Sequence, residues 1–190
     1  DRPVDLLVAP AGDPLGLPKP GYTSLRGRLV RESLGPMLTF GRGALSGRLV
    51  RPTRRVAVCL DMFGTGRAHL RLAAEYARGT DAALHVIQIL PEVDDGSIGS
   101  LAFAEPFDEE FVTRQLRRAG ACYGGTPAFD VADRAGLSRL LLTREIDLVF
   151  LDGNTWMSAR WFGNGLRRIV DALPCPSICV DATRDDLQWY

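Results

Sequence analysis

Short runs that are apolar at nearly every position, rather than at every second one, constrain this chain most. They occupy Arg55 to Leu60, Ala82 to Leu90, Ile146 to Leu151 and Pro176 to Val180. A strand with apolar side chains on both sides has to be covered on both faces, as happens in parallel sheets sandwiched by helices. Between the runs the period changes to that of a helix. From Arg67 to Arg78, Leu70, Ala73, Ala74 and Ala77 recur at helical spacing, with Gly79 as the expected stop. Pro106 to Ala119, through Phe107, Phe111 and Leu116, then Asp133 to Glu145 and Leu166 to Leu173, read as further helices, and Thr126 to Val131 as a short strand. Glu92 to Glu105 has no sustained period and reads as a loop. The alternation predicts an α/β class: a doubly wound five-stranded parallel sheet with helices on both faces.

The end of this pattern occurs twice. Asp5-Leu6-Leu7-Val8 matches Asp147-Leu148-Val149-Phe150, and Arg28-Leu29-Val30 matches Arg168-Ile169-Val170. Pro36 then meets Pro176, while Leu38 and Phe40 meet Ile178 and Val180. Matched spacing over three elements is harder to reach than one matched apolar run. The expected organisation is a partial β-α-β copy at 1–40, a basic linker at 41–54, a complete domain at 55–183 and a tail at 184–190. Asp1 is not an initiator methionine, so the chain is expected to be a fragment or a processed product.

A length of 190 residues, 46% hydrophobic and 24% charged, suits a globular protein of one domain and a fraction. No apolar run approaches the ~20 residues that a membrane-spanning helix needs. Cys59, Cys122, Cys175 and Cys179 lack metal-ligand spacing, and three of them lie in or beside apolar segments, which points to reduced thiols and a cytoplasmic location. On one extended strand Cys175 and Cys179 would stand about 13 Å apart, too far for a disulfide. His69 and His85 have no neighbouring Cys, Asp or Ser pattern that makes a catalytic or metal case.

Net charge is zero, yet residues 1–55 hold ten basic against four acidic side chains. Arg42, Arg48, Arg51, Arg54 and Arg55 alternate with Gly41, Gly43, Gly47 and Pro52, as in a solvated linker. The sharper alternative is docking onto an acidic partner, a nucleic acid or an anionic membrane. No aromatic residue lies among these arginines, which argues against single-stranded nucleic acid, and no specific nucleic-acid partner is expected.

With that order of elements, residues 55–181 resemble the universal stress protein family. The resemblance rests on Val56-Ala57-Val58-Cys59-Leu60-Asp61, on Leu84-His85-Val86-Ile87 before Pro91, on Asp147-Leu148-Val149, and on Leu173-Pro174-Cys175-Pro176 before a closing apolar strand. It implies the adenine nucleotide alpha-hydrolase-like sheet of order 3-2-1-4-5. It also implies pairing of last strands between two domains, Met37, Leu38, Thr39 and Phe40 against Ser177, Ile178, Cys179 and Val180. Such pairing would be intramolecular or homodimeric, and would remove an apolar edge that otherwise invites aggregation.

The family includes members that bind ATP through a Gly-x2-Gly-x9-Gly-Ser/Thr stretch after the fourth strand. Carried over, Asp61 would meet the nucleoside, Val86 the adenine edge, and Gly163-Asn164 the last pair of the motif, with Gly165 opening the helix. This sequence departs from the pattern. Asp152 stands at the first glycine with Gly153 one place later, Thr155 and Trp156 fill the second turn, and the spacing to Gly163 is short. A carboxylate repels phosphates, and Trp prevents the close backbone approach that Gly permits. In the first copy Pro10 stands at the glycine position and removes a donor. Gly64-Thr65-Gly66 and Gly163-Asn164-Gly165 read as turn chemistry, with anion cradles as the alternative.

The expected function is therefore a non-enzymatic regulatory or interaction module of universal stress protein type, with a degenerate nucleotide site and no cofactor. An ATP- or adenine-nucleotide-binding stress sensor is the alternative. A further alternative is a cytosolic domain of a larger assembly or of a membrane protein partner. A hydrolase or transferase is disfavoured, because the chain has no Gly-x-Ser-x-Gly elbow and its one lysine, Lys19, lies far from the sheet's ligand edge.

Overall fold

The computed structural model describes residues 6–9, 35–41, 44, 52–60, 67–90, 109–133, 135–152, 170 and 172–180. Among these residues seven strands form one sheet: β1 (Leu7–Ala9), β2 (Met37–Thr39), β3 (Arg55–Leu60), β4 (Ala83–Leu90), β5 (Ala128–Asp133), β6 (Leu148–Asp152) and β7 (Ser177–Val180). Among the described residues the helices are α1 (Arg67–Gly79), α2 (Glu109–Tyr123) and α3 (Leu137–Thr143). The strand order is β1-β2-β7-β6-β3-β4-β5. Its five strands from β3 onward run parallel, and in their own sequence they follow the order 3-2-1-4-5.

Continuous apolarity is explained by two cores. Ala57, Cys59, Ile87, Val149, Leu151 and Cys179 face one side, where Leu137 and Leu141 of α3 and Leu173 pack against them. Val56, Val58, Leu60, Leu84, Val86, Leu148 and Phe150 face the other, under Leu70, Ala73, Ala74 and Ala77 of α1 and Ala119 of α2. Ala73, Ala74 and Ala77 of α1 are fully buried, so the helix backbone lies close to the sheet. Each fully buried large apolar side chain contributes about 1.5–3 kcal/mol.

α1 ends at Gly79, as expected, but the left-handed turn that closes it is made by Asp81, φ 54°, with the Ala82 amide donating to the Ala77 carbonyl at 2.9 Å. That closure spans one residue more than a helical bond and satisfies a terminal carbonyl. Glu145, φ 52°, plays the same part after α3, with the Ile146 amide donating to Leu141. The segment expected to be helical from Asp133 starts only at Leu137, because Asp133 still belongs to β5 and its Oδ1 accepts from the Gly136 amide at 2.6 Å. β7 starts at Ser177, so Cys175 precedes the strand that Cys179 occupies, although both are buried in one cluster.

At the junction of β2 and β7 the direction reverses. These strands are antiparallel, with Met37 opposite Cys179, Leu38 opposite Ile178 and Thr39 opposite Ser177. Outside them β1 runs parallel to β2 with Val8 opposite Leu38, and β6 runs parallel to β7 with Phe150 opposite Ile178. Residues matched by the sequence repeat thus hold matched places about an axis between Leu38 and Ile178. Phe40 lies one residue past β2, and Val180 pairs with Asp152.

Candidate functional site

From β3 the chain winds outward through β4 and β5, and it returns to the other side of β3 as β6. That reversal places a crevice at the carboxyl ends of β3 and β6, where open parallel sheets take ligands. The described residues at this rim are Leu60, Gln88 to Leu90 and Asp152. Alternation along the strands puts Leu60, Gln88 and Asp152 on the face that α1 covers. Leu60 is opposite Gln88 in the ladder, and the preceding row is Val86, Val58 and Phe150.

Two of these three are polar and buried: Gln88 is 2% exposed and Asp152 4%. His69, from the first turn of α1, is the third buried polar group, at 1%. Its Nε2 lies 3.0 Å from the Cys59 carbonyl oxygen, which can only accept, so Nε2 carries the proton and donates. In the neutral ring Nδ1 is then an acceptor, and it has no hydrogen-bond partner among the described residues. Burial lowers the His69 pKa, against an upward pull from the Asp152 carboxylate. Gln88 Nε2 donates to the Ile89 carbonyl at 3.3 Å, leaving Oε1 as a second buried acceptor without a partner.

At the opposite, amino edge of the sheet lies a set of ion pairs. The Arg144 guanidinium donates through Nε to both Asp130 oxygens at 3.1 Å. His85 Nδ1 is 3.6 Å from Asp130 Oδ2, too long for a hydrogen bond. Burial lowers the His85 pKa; Asp130 raises it, and the positive charges of Arg144 and Arg55 lower it further. Arg55 pairs with Glu145 and donates to the Arg144 carbonyl at 3.2 Å. Asp147 Oδ2 accepts from the Arg54 and Arg55 amides at 2.8 and 3.0 Å, which fixes the start of β6 against the start of β3.

Of the site residues named from sequence, Asp61, Gly153, Gly163, Asn164 and Gly165 lie outside the described residues. Val86 sits mid-strand in β4 with its side chain fully buried under α1, and Asp152 ends β6 at the rim. His69 and Gln88 were missed. A signal existed for His69, which shares a helical stripe with Ala73 and Ala77 and so had to face inward. His85 and Asp130 meet only because β4 pairs with β5, a register that no local pattern shows. Among the described residues there is no group of three or more His, Cys, Asp or Glu that could hold a metal ion, and no helix long and apolar enough to cross a membrane.

No protein-family model matches the chain, and no curated protein matches it. Solved structures do. A universal stress protein from Archaeoglobus fulgidus DSM 4304 superposes with a TM-score of 0.63 at 14% identity, over 86% of this chain and 55% of that one. The chain has the universal stress protein fold. A functionally unknown protein from Pseudomonas aeruginosa PAO1 matches over 93% of this chain and 63% of its own length, with a TM-score of 0.53 and 18% identity. A universal stress protein determined in complex with cAMP matches over 70% of this chain and 99% of its own, with a TM-score of 0.50 and 15% identity. At such identities the likeness is one of fold, and function has to be argued from the site. The chain spans little more than half the length of the Archaeoglobus protein.

Proposed function

We propose that this chain is a non-enzymatic regulatory and interaction module of the universal stress protein family, assembled through its last strands and carrying a degenerate nucleotide site. The observation that carries the reading is the register at the β2–β7 seam. Two parallel strand pairs meet there antiparallel, with residues matched in sequence at matched places. A seam of this kind buries two apolar edges at once: Met37 joins the core of Cys179, and Leu38 packs beside that of Ile178.

A tandem arrangement, with residues 1–40 ending one domain and 55–183 forming another, is supported by how neighbours align. A neighbour matched over 99% of itself takes in only 70% of this chain, whereas the Archaeoglobus and Pseudomonas structures take in 86% and 93% of it with much of their own length left over. The buried thiols Cys59, Cys175 and Cys179 form no disulfide, which suits a cytoplasmic setting. The test is Leu38→Lys, followed by chemical denaturation and light scattering. Lower stability or lower solubility is expected; no change in either would refute the seam.

The cAMP-bound neighbour favours a second reading, in which an adenine nucleotide at the β3–β6 crevice modulates partner binding. Denaturing the purified protein and assaying the released small molecules, followed by titration with ATP, tests it. Absence of nucleotide together with no binding at millimolar ATP would eliminate that reading.

A further inference from the structure

The two strands that meet at the seam are matched in pattern but not in chemistry. About the axis between Leu38 and Ile178, Met37 holds the place of Ser177, and Thr39 holds that of Cys179. Met37 and Cys179 belong to the core beneath α3, and alternation puts Thr39 and Ser177 on the same face. All four are buried, and Met37 is among the largest of the fully buried side chains. In the observed register each larger residue of β2 meets a smaller one of β7: Met37 lies opposite Cys179, and Thr39 opposite Ser177. Polarity is matched as well, thioether against thiol and hydroxyl against hydroxyl. The central pair, Leu38 with Ile178, joins isomers on the other face and discriminates nothing.

A second copy of the chain would offer β7 a poorer fit. Two β7 strands paired about Ile178 would set Ser177 of each copy opposite Cys179 of the other. The space that Met37 fills would then be empty at both ends of the pair. Two Ser177 hydroxyls would be buried in place of one, and that one already has no hydrogen-bond partner among the described residues. Voids and orphaned polar groups both destabilise a packed layer. Two β2 strands paired about Leu38 would instead set Met37 opposite Thr39 twice, which overfills the same layer. We propose that the seam is selective: β7 takes β2 of its own chain and rejects β7 of a second copy, with Met37 and Ser177 as the residues that discriminate. The inference rests on the last-strand pairing proposed above and names its partner. Selectivity here is a difference between two fits, one complementary and one small against small.

Disulfide trapping in the intact chain tests it, with Leu38→Cys and Ile178→Cys reporting on the central pair and the unaltered chain as control for the native thiols. Cα atoms directly opposite each other across antiparallel strands lie about 4.5–5.5 Å apart, within reach of a disulfide. Mild oxidation of the double variant is expected to close an intrachain link, and Ile178→Cys alone is expected to give no covalent dimer above the control. Adding Ser177→Met to Ile178→Cys gives each β7 the larger residue that Cys179 now meets in β2, and should raise the covalent dimer at least fivefold. Adding Met37→Ser, which removes the advantage of β2, serves the same purpose should the first combination fail to fold. A covalent dimer from Ile178→Cys alone, or from the double variant in place of the intrachain link, overturns the inference while last-strand pairing stands. An unmoved dimer yield in a folded combination overturns it as well. Neither product from any variant removes the seam and the inference together.

Discussion

Val8 and Phe150 occupy matched positions beside the seam, one opposite Leu38 and the other opposite Ile178, yet Val8 is 58% exposed and Phe150 fully buried. The two strands differ in what lies beyond them. β6 is flanked by β3 and roofed by α1, whose Tyr76 ring sits 5.8 Å from that of Phe150. Among the described residues β1 is the edge of the sheet, and Leu6 beside it is also exposed. The comparison teaches that equal local patterns do not give equal burial. A β-α-β ending folds as part of a core only where neighbouring strands and helices complete it, and elsewhere the seam has to hold it.

The largest test of that contrast is a pair of truncations. Phe150→Ala should cost about 3–5 kcal/mol, as large-to-small changes in a packed core do, while Val8→Ala should stay within ~0.5 kcal/mol. Urea midpoints measure both, and similar costs would erase the distinction. Next in size is Ile178→Lys at the seam. An ammonium brought into a site only 7% exposed should cost about 3 kcal/mol and expose an aggregation-prone edge. Asp147→Ala removes the acceptor of the Arg54 and Arg55 amides and should cost about 2 kcal/mol by denaturant titration.

The smallest effect concerns pH. His69 and His85 both have pKa values lowered by burial, so the unfolded chain binds protons that the folded chain refuses. Stability from this source is present above about pH 6.5 and declines as pH falls below it, at up to ~1.4 kcal/mol per pH unit for each histidine. His69→Gln should flatten the decline between about pH 6.5 and 5.5 in stability measured against pH, and an unaltered slope would show that His69 takes no part in it.

The same contrast separates what could be read from the chain. The strands of the complete unit were legible because Val56, Val58, Leu84, Val86, Val149 and Leu151 carry their burial in their own chemistry. Helix limits were less legible. Asp81 and Glu145 adopt left-handed backbone that glycine usually supplies, and Asp133 stays in β5 while bonding the Gly136 amide. Acidic Asp152 was visible as a departure from a glycine motif. Its grouping with His69 and Gln88 was not, because α1 and three strands have to assemble before those residues share one face.

The central claim is that β2 is a true interior strand, held by β1 on one side and by β7 on the other. Amide hydrogen exchange at Met37, Leu38 and Thr39 measures this most directly, because in an interior strand every one of those amides is bonded to a neighbour. Protection close to that of Ser177 to Val180 is expected, with loss of protection in Ile178→Lys. Exchange at Met37 to Thr39 at the rate of an unstructured peptide would contradict the seam.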